Sequence, residues 1–554
     1  MCSSRSGPYH AFVTLIALPI FVPSIDAVDH VLERAVAGCD QGARLIEWRA
    51  DQLAMQDSAV EAITRLVRDA AAPSILTIRA AYEGGRYTGG DHERLELIRR
   101  LIESDSPPRY IDLELRCWLN HPHEQELLRR ALESAKRDGS DRATGLILSA
   151  HDFEARPRDL LQKIEAMTDA PACDVIKIAW RARSLRDNLE VFDLLRERRK
   201  PTIALAMGEF GLPSRVLAPK FGGFLTFATD APSEETAPGQ PAIRDLIHQY
   251  RFDSLSRATA VYGVIGWPVG HSRSPELHNA LFRSSEHDAV FLPLPVPSEY
   301  EHFKATLSAW LDHEALDFRG ASVTIPHKEN LVRFVRERGG VLAPAAERIG
   351  AANTLVVRDG VIEAHNTDAP AVVDALCEGM GTSAAALRDK RIAVLGAGGV
   401  ARAAVSALAA KGAKLIIFNR TAHRAEELAS MFHGSPTEDG GQAHVVKGVP
   451  GREGCGCFDI VINATAVGMT GGPAPDESPL PEDVLLDRSV TVLDTVYTPT
   501  RTPLVKQAEE AGARAIFGDE LFLRQAALQS ALWTGSTPGL QVMRTILAEP
   551  VSGS

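Results

Sequence analysis

Lys177 is the one cation in an otherwise apolar run, residues 174–179 (DVIKIA), that is typical of a buried strand. Burial of a lysine disfavours the ammonium form and leaves an amine that can attack a ketone to form an imine. The alternative is a structural lysine whose stem is buried and whose head group reaches solvent at the strand end. The segment alone leaves both interpretations open, so the surrounding elements must decide.

Short apolar runs recur through the first 230 residues, and helix-like charged stretches separate them. Most are rich in Val, Ile and Leu with little polar alternation, as is typical of parallel strands buried on both faces. Eight such strands alternating with helices over about 250 residues predict a (β/α)₈ barrel. The runs are 13–20, 45–49, 74–80, 110–115, 145–150, 174–179, 202–207 and 223–228.

The first of these runs has a second interpretation. Residues 11–22 follow Arg5 and resemble the apolar core of a signal peptide, although they are too short to span a membrane as a helix. Because the barrel needs this run as its first strand, we favour the strand.

Polar residues cluster where these strands end, and the chemistry of such barrels is located there. We expect Glu47, Arg49 and Asp51 to close strand two, Arg79 to close strand three and His151 to follow strand five. Together with Lys177, they provide an amine nucleophile, an imidazole base and arginines suited to an anionic, hydroxylated substrate.

These residues resemble type I 3-dehydroquinate dehydratase. The resemblance covers roughly residues 10–250 and rests on the ordered motifs EWRAD (47–51), RAAYEGG (79–85), SAHDF (149–153), VIKIA (175–179), MGEFGLPSR (207–215) and TAPGQ (236–240). It implies that Lys177 forms an imine with the substrate ketone, that His151 transfers protons and that Glu83 orients His151. It also implies that Arg215 holds the substrate carboxylate, while the remaining contacts come from Glu47, Arg49, Arg79, Thr236 and Gln240.

Residues 391–408 (RIAVLGAGGVARAAVSAL) predict a strand, a glycine turn and a helix, the arrangement that binds a dinucleotide pyrophosphate. The next strand ends in Asn419-Arg420-Thr421, with Arg424 beyond it, where an NAD site would place an acidic residue. Cations there favour a 2′-phosphate, so we predict NADP. The alternative is a surface arginine pair after a strand.

Residues 258–370 predict a separate α/β unit that precedes the glycine turn. Lys328 ends the run SVTIPHK, and Asp368 ends HNTD after a hairpin turned by Asp359-Gly360. Lys328 and Asp368 are candidates for a lysine–carboxylate pair that handles a proton.

The ordered set over roughly 258–548 resembles shikimate dehydrogenase, through YGVIGWPVGHSRSPELHN, SVTIPHK, IGAANTL, NTD, GAGGVARA, NRT, INATAVGM, DTVYTPTRTPL and GDELFLRQAALQSALWTG. It implies that Lys328 and Asp368 act on the C3 oxygen during hydride transfer. Implied substrate contacts are Ser272, Ser274, Thr324, Asn353, Asp368, Tyr497 and Gln525. Implied cofactor contacts are Gly396, Ala397, Gly398, Gly399, Val400, Asn419, Arg420, Thr421, Arg424, Thr495 and Gly518. Ser322, Ala369-Pro370 and Leu521 depart from the family pattern.

The expected architecture is therefore a barrel over 1–250, a substrate-binding α/β domain over 258–370 and a Rossmann NADP domain over 371–522. A C-terminal helix over 523–548 is expected to pack back on the substrate domain. The leading hypothesis is a bifunctional enzyme that dehydrates 3-dehydroquinate and reduces the product to shikimate. The alternatives are a C-terminal half that prefers quinate or NAD, and a barrel that is a catalytically inactive scaffold.

Composition and net charge narrow the classes of partner and site that the sequence allows. A net charge of −12 without a basic block argues against nucleic-acid binding, and no segment is long and apolar enough to cross a bilayer. Seven scattered cysteines, without metal-ligand spacing, favour reduced thiols in the cytoplasm and predict no metal site. We expect small-molecule substrates and no obligate protein partner.

Overall fold

The eight apolar runs of the first half form one parallel sheet in the computed structural model, which describes residues 13–137, 143–231, 236–448, 458–480 and 485–548. The strand order is β7-β6-β5-β4-β3-β2-β1-β8, so the first strand pairs with both the second and the last. At the remaining seam, the Phe224 amide donates to the Thr202 carbonyl at 2.9 Å. The predicted (β/α)₈ barrel is confirmed. The strands are β1 (Leu15–Phe21), β2 (Leu45–Arg49), β3 (Ser74–Thr77), β4 (Tyr110–Glu114), β5 (Gly145–Asp152), β6 (Cys173–Arg181), β7 (Thr202–Met207) and β8 (Leu225–Phe227).

Helices connect these strands along the outside of the barrel. Their inward faces carry the apolar residues at helical spacing, for example Ile63 and Leu66, which are fully buried. The helices are α1 (Val28–Gln41), α2 (Ala59–Asp69), α3 (Asp91–Ile102), α4 (Leu115–Asn120), α5 (Pro122–Arg137), α6 (Leu160–Asp169), α7 (Asp187–Arg196), α8 (Leu212–Val216) and α9 (Ala218–Phe221).

Two expected strand ends are wrong. β5 continues through His151 to Asp152, because Asp152 still pairs with Trp180 of β6. β3 stops at Thr77, and Arg79 lies beyond it, because the Arg79 amide donates to the Asp51 carboxylate at 2.9 Å. His151 therefore belongs to a strand, whereas Arg79 belongs to a loop.

The second half contains two further sheets. In the first of them β9, β11, β13, β14 and β12 lie side by side in that order, and β13 and β14 form the predicted antiparallel hairpin. Its turn residues Asp359 and Gly360 both take left-handed backbone conformations, with φ of 49° and 77°, as a two-residue hairpin turn requires. The elements are β9 (Ala260–Gly266), α10 (Ser274–Ser284), β10 (Ala289–Pro295), α11 (Tyr300–Asp312), β11 (Phe318–Val323), α12 (Lys328–Glu337), β12 (Val341–Leu342), α13 (Pro344–Ile349), β13 (Thr354–Arg358), β14 (Val361–His365) and α14 (Asp368–Met380).

The last sheet is the predicted Rossmann sheet, six parallel strands in the order β17-β16-β15-β18-β19-β20. The order reverses between β15 and β18, and the crevice at such a switch point is where α/β folds bind nucleotides. Its elements are β15 (Arg391–Leu395), α15 (Gly399–Ala410), β16 (Lys414–Phe418), α16 (Ala422–Phe432), β17 (His444–Lys447), β18 (Ile460–Asn463), β19 (Thr491–Asp494), α17 (Pro503–Glu510) and β20 (Arg514–Ile516).

The C-terminal tail is two helices, α18 (Gly518–Thr534) and α19 (Leu540–Ala548), instead of the single helix expected over 523–548. Gly535 ends α18 with a φ of 76°, a left-handed cap that an L side chain would strain. Gln529 of α18 donates to the Asn353 carbonyl at 3.0 Å, so this helix lies against the start of β13.

The chain divides into two compact units. One consists of residues 1–260, 288–295 and 306–317, and the other of residues 261–287, 296–305 and 318–554. Within the described ranges, no helix combines the length and apolar character needed to span a bilayer. Residues 1–12, which the expected barrel domain includes, lie outside the described residues.

Candidate active sites

The barrel interior has an apolar floor and a polar layer above it. Side chains alternate along each strand, so Val175 and Lys177 of β6 both face inward, as do Ile147 and Ser149 of β5. The inward residues nearer the N-terminal ends are apolar and pack together. Nearer the C-terminal ends, charged and hydroxylated side chains form a polar layer that is interrupted by apolar ones such as Ala179, and this layer holds several of the residues predicted to act on substrate.

Lys177 is enclosed in this layer. Its side chain is 7% exposed, and its Nζ donates to Asp112 Oδ2 at 2.6 Å and to Glu47 Oε1 at 3.4 Å. The Phe227 ring lies 4.4 Å from Nζ. The interpretation of a lysine that snorkels to solvent is therefore wrong: the amine is held inside the barrel.

His151 and Glu83 form the predicted pair, with His151 Nδ1 3.1 Å from Glu83 Oε2. Burial, together with the nearby cations Arg79 and Lys177, holds the pKa of His151 well below its usual value. Burial raises the pKa of Glu83 to about 7. The imidazole is therefore neutral at physiological pH and has a lone pair available to accept a proton.

The predicted arginines of the barrel are each held by a carboxylate or a carbonyl. Arg79 contacts Asp112 at 2.7 Å, and Arg49 contacts Asp51 at 2.8 Å. Arg215 is buried after β7 and donates to the carbonyls of Phe227 and Pro238 at 3.4 and 3.5 Å. These contacts fix the guanidinium planes before substrate arrives.

Thr236 and Gln240 lie together in the loop after β8. The Gln240 Oε1 accepts from the Thr236 amide at 3.0 Å, and the Gln240 Nε2 donates to Thr236 Oγ1 at 3.2 Å. The loop is joined to the end of β7, because the Gly208 amide donates to the Pro238 carbonyl at 3.1 Å.

The second site is a cavity of about 830 Å³ within the second unit, and one edge of it is the glycine turn before α15. It brings together all the residues predicted for this half except Thr421, which precedes α16 and does not line it. The predicted residues that line it are Ser272, Ser274, Thr324, Lys328, Asn353, Asp368, Gly396, Ala397, Gly398, Gly399, Val400, Asn419, Arg420, Arg424, Thr495, Tyr497, Gly518 and Gln525.

Lys328 and Asp368 meet in this cavity, with Lys328 Nζ 2.6 Å from Asp368 Oδ2. Asn353 Nδ2 lies 3.0 Å from the other carboxylate oxygen and 3.2 Å from Gln525 Oε1. Lys328 is the first residue of α12 and Asp368 the first of α14, so two helix starts present the pair to the cavity. A lysine held in this way can donate a proton to an oxygen bound beside it.

Tyr497 is far from Lys328 and Asp368 in the sequence, yet it lines the same cavity. Its ring stacks on Phe522 with centroids 4.8 Å apart. Burial raises the pKa of its hydroxyl, while a hydrogen bond with Ser272 opposes that rise. The phenol therefore stays protonated and can donate or accept one hydrogen bond.

The glycine turn fits a dinucleotide. Gly396 takes a φ of 110°, a conformation that favours glycine, and its amide donates to the Phe418 carbonyl at 2.7 Å. A Cβ built at Gly398 meets nothing within 4 Å, so the backbone before α15 faces open cavity, where a pyrophosphate can approach the helix N-terminus. Arg420 and Arg424 line the same cavity and supply the charge that a 2′-phosphate needs.

Gly399 touches the catalytic lysine candidate directly. A Cβ built at this position would lie 2.8 Å from Lys328 Cβ. The stem of Lys328 therefore packs on the first turn of α15, and only a residue without a side chain permits that contact.

Comparisons with known proteins agree with this geometry. Family models match in three places: Type I 3-dehydroquinase over residues 16–257, the shikimate dehydrogenase substrate binding domain over 264–355, and Shikimate / quinate 5-dehydrogenase over 380–466. The bifunctional 3-dehydroquinate dehydratase/shikimate dehydrogenase of Arabidopsis thaliana, which is chloroplastic, is 34% identical over 94% of this chain and 82% of its own length. The chain belongs to this bifunctional family. The predicted family is confirmed.

Two other relatives of this bifunctional dehydratase/dehydrogenase are informative. The shikimate biosynthesis protein AroDE of Chlamydia pneumoniae is 32% identical and covers 70% of this chain and 73% of its own length. The NADP(+) shikimate dehydrogenase of Methanocella arvoryzae is 39% identical over 51% of this chain and 96% of its own length. The first spans parts of both halves, and the second matches about half of the chain.

Sequence reasoning missed the central carboxylate of the dehydratase barrel. Asp112 contacts both Lys177 and Arg79, and Ser149 donates to it at 2.6 Å. A signal was present: in YIDLEL (110–115) the acidic residues Asp112 and Glu114 alternate with apolar ones, which places both on one face of a strand.

The departures from the dehydrogenase pattern have local explanations or consequences. Pro370 is the third residue of α14, where the missing amide hydrogen has no helical partner in any case. The Ser322 hydroxyl is buried beside the cavity and has no hydrogen-bond partner among the described residues. Leu521 lines the cavity as an apolar side chain.

Proposed function

We propose that the barrel converts 3-dehydroquinate to 3-dehydroshikimate through an imine at Lys177, and that the second unit reduces this product to shikimate with NADPH. The observation that carries the proposal is the coexistence of two lysine sites in one chain. In one, a buried lysine shares a barrel interior with the neutral imidazole of His151. In the other, a lysine–carboxylate pair lines a cavity edged by a glycine turn.

In the barrel, the Lys177 amine attacks the substrate ketone, and loss of water leaves a protonated imine. The imine makes the adjacent C2 proton acidic, and neutral His151 removes it. His151, now protonated, returns that proton to the C1 hydroxyl, which leaves as water. Hydrolysis of the product imine by one water then frees 3-dehydroshikimate and the Lys177 amine. Glu83, 3.1 Å from His151 Nδ1, holds the ring orientation through both transfers. Arg215, buried and fixed by two carbonyls, binds the substrate carboxylate.

In the second unit, NADPH supplies the hydride when bound, and the residues of the chain manage the oxygen that becomes a hydroxyl. Lys328 donates a proton to the C3 oxygen, and Asp368 holds the lysine in place at 2.6 Å. Ser272, Ser274 and Tyr497 line the same cavity and bind the ring carboxylate and hydroxyls. Arg420 and Arg424 favour NADP over NAD.

We further propose that the enzyme works in the cytoplasm on these two small molecules alone. Support comes from residues 15–21, the apolar run near the start of the sequence, which are paired on both sides as β1 of the barrel. Cys39, Cys117, Cys173 and Cys377, the cysteines among the described residues, are all free thiols.

A coupled assay tests the proposal. The purified chain is mixed with 3-dehydroquinate and NADPH alone, and we expect the NADPH absorbance to fall without any added enzyme. If supplied 3-dehydroshikimate is reduced while 3-dehydroquinate is not, the barrel assignment is wrong. If quinate is oxidised with NAD faster than shikimate with NADP, as judged by kcat/KM, the substrate and cofactor assignment is wrong.

A further inference from the structure

Asp112 lies at the centre of the polar layer in the barrel. Its side chain is fully buried, and its two oxygens have different partners. Oδ1 accepts from Arg79 at 2.7 Å and from the Ser149 hydroxyl at 2.6 Å, whereas Oδ2 accepts from Lys177 Nζ at 2.6 Å. One oxygen is thus anchored to β5 and to the loop after β3, which leaves the other directed at the amine.

The same cluster keeps this carboxyl ionised. Burial alone would raise the pKa of Asp112, but the adjacent Arg79 and Lys177 outweigh it and hold that pKa below its usual value. A second carboxylate, Glu47, also faces Lys177, but it lies 3.4 Å away and its Oε1 already accepts from Thr77 Oγ1 at 2.7 Å. The other charged or titratable groups around this centre, among the described residues, are His151, Arg79, Arg49, Glu83 and Glu114. Asp112 is therefore the principal counterion of the amine.

We propose that Asp112 is a positioning residue for the dehydration: it fixes Lys177 Nζ at the attack position and stays its counterion before and after the imine forms. The inference rests on the proposed function above. One fixed anion suits the lysine both before and after imine formation, because the positive charge beside it does not change. A lysine ammonium and a ketone give a protonated imine and one water, so a new C–N double bond replaces the C–O double bond while the site keeps a charge of +1. The remaining N–H of the imine can still donate to Oδ2.

The cost of this arrangement is that the carboxylate also stabilises the unreactive ammonium. Only the neutral amine attacks the ketone, so the negative charge of Asp112 opposes the proton loss that must precede attack. An opposite charge at such a distance typically shifts the pKa of a group by about one to three. Removing the charge of Asp112 while keeping its shape is therefore expected to move the acid limb of imine formation to lower pH by about one pH unit or more.

The test is the rate of imine trapping by cyanoborohydride, measured by mass spectrometry on the full chain with 3-dehydroquinate from acid to alkaline pH. The variant is Asp112→Asn, which can still accept from Arg79 and Ser149. The matched control is Asp174→Asn, on the same strand as Lys177. The Asp174 carboxylate accepts from the Leu146 amide instead of from the lysine. We expect a lower midpoint for D112N and an unchanged midpoint for D174N.

Each outcome is informative. An unchanged midpoint in D112N with a native circular dichroism spectrum overturns the inference, whereas absence of any adduct in the unsubstituted chain sinks the imine mechanism itself. If D112N does not fold, Ser149→Ala serves instead: it removes one donor from Asp112 and leaves the contact with Lys177. The carboxylate then stabilises the ammonium more strongly, so we expect a midpoint shifted to higher pH, and a shift to lower pH or none overturns the inference.

Discussion

Ionisation of the buried Glu83 carboxyl lowers the free energy of unfolding of the barrel. Replacing Glu83 is therefore expected to stabilise the fold and to slow catalysis. The carboxyl is 12% exposed, and burial raises its pKa to about 7 from an ordinary 4.5. At about 1.4 kcal/mol per pKa unit, this difference corresponds to about 3 kcal/mol.

The sign follows from proton uptake. Between about pH 4.5 and pH 7 the folded chain keeps a proton on Glu83 that the unfolded chain has lost, so the free energy of unfolding falls as pH rises through this window. Above pH 7 the full cost is present, and below pH 4.5 it is absent. Glu83→Gln removes the ionisation, so its gain over the unsubstituted chain should grow from near zero in acid to about 3 kcal/mol in mild alkali.

Hydrogen exchange followed by mass spectrometry on peptides of β5 and β6 measures this difference at each pH in the full chain. For a unit of this size, the same gain corresponds to a rise in Tm of about 6 to 12 °C. The control is Glu165→Gln on α6, where the side chain is exposed. Dehydration should fall by about 10²-fold because His151 loses the carboxyl group that orients its ring. An E83Q variant whose stability has the same pH dependence as the unsubstituted chain would refute the reasoning.

The remaining predictions separate the two sites and test one close contact. Lys177→Ala should abolish dehydration and spare reduction of supplied 3-dehydroshikimate, and loss of both activities in a folded variant contradicts independent sites. Lys328→Ala should lower the reduction kcat by about 10²- to 10⁴-fold and leave dehydration intact; an unchanged reduction rate removes Lys328 from the chemistry. Gly399→Ala places a Cβ 2.8 Å from Lys328 Cβ, so it should lower the reduction kcat as well as weaken NADPH binding, measured by steady-state kinetics and fluorescence titration. If only NADPH binding is weakened, the Lys328 stem moves aside without lowering the reduction kcat, and the predicted effect on catalysis is wrong.

Periodicity and motif order predicted the architecture because both are local properties of the chain. Eight apolar runs became eight strands, and the runs 45–49 and 202–207 match β2 and β7 residue for residue. The errors lie at strand ends, where side-chain contacts decide. The Arg79 amide donates to the Asp51 carboxylate, so β3 ends before Arg79. Pairing with β6 extends β5 past His151. No local pattern encodes either contact.

The candidate sites were predictable where a residue belongs to a contiguous motif. Lys328 and Asp368 lie 40 residues apart, yet each ends a recognisable run, and their contact follows from the fold. Asp112 is different, because its importance depends on Lys177, which is 65 residues away, and on Arg79. Its strand position was visible in the sequence, but which inward neighbours it meets depends on the closure of the barrel.

That closure has a consequence for how the protein is made. Thr14, just before β1, bonds to Gly223 across 209 residues, and β1 then pairs with β8. At about 5 to 20 residues per second, a ribosome needs on the order of 10 to 40 s to synthesise the chain between them. During that interval β1 presents an apolar edge without its final neighbour, an edge of the kind that promotes aggregation. The barrel strand that is synthesised first therefore gains its last neighbour only when the final strand is made, and yields of the folded enzyme should depend on how well low temperature or a chaperone protects this nascent edge.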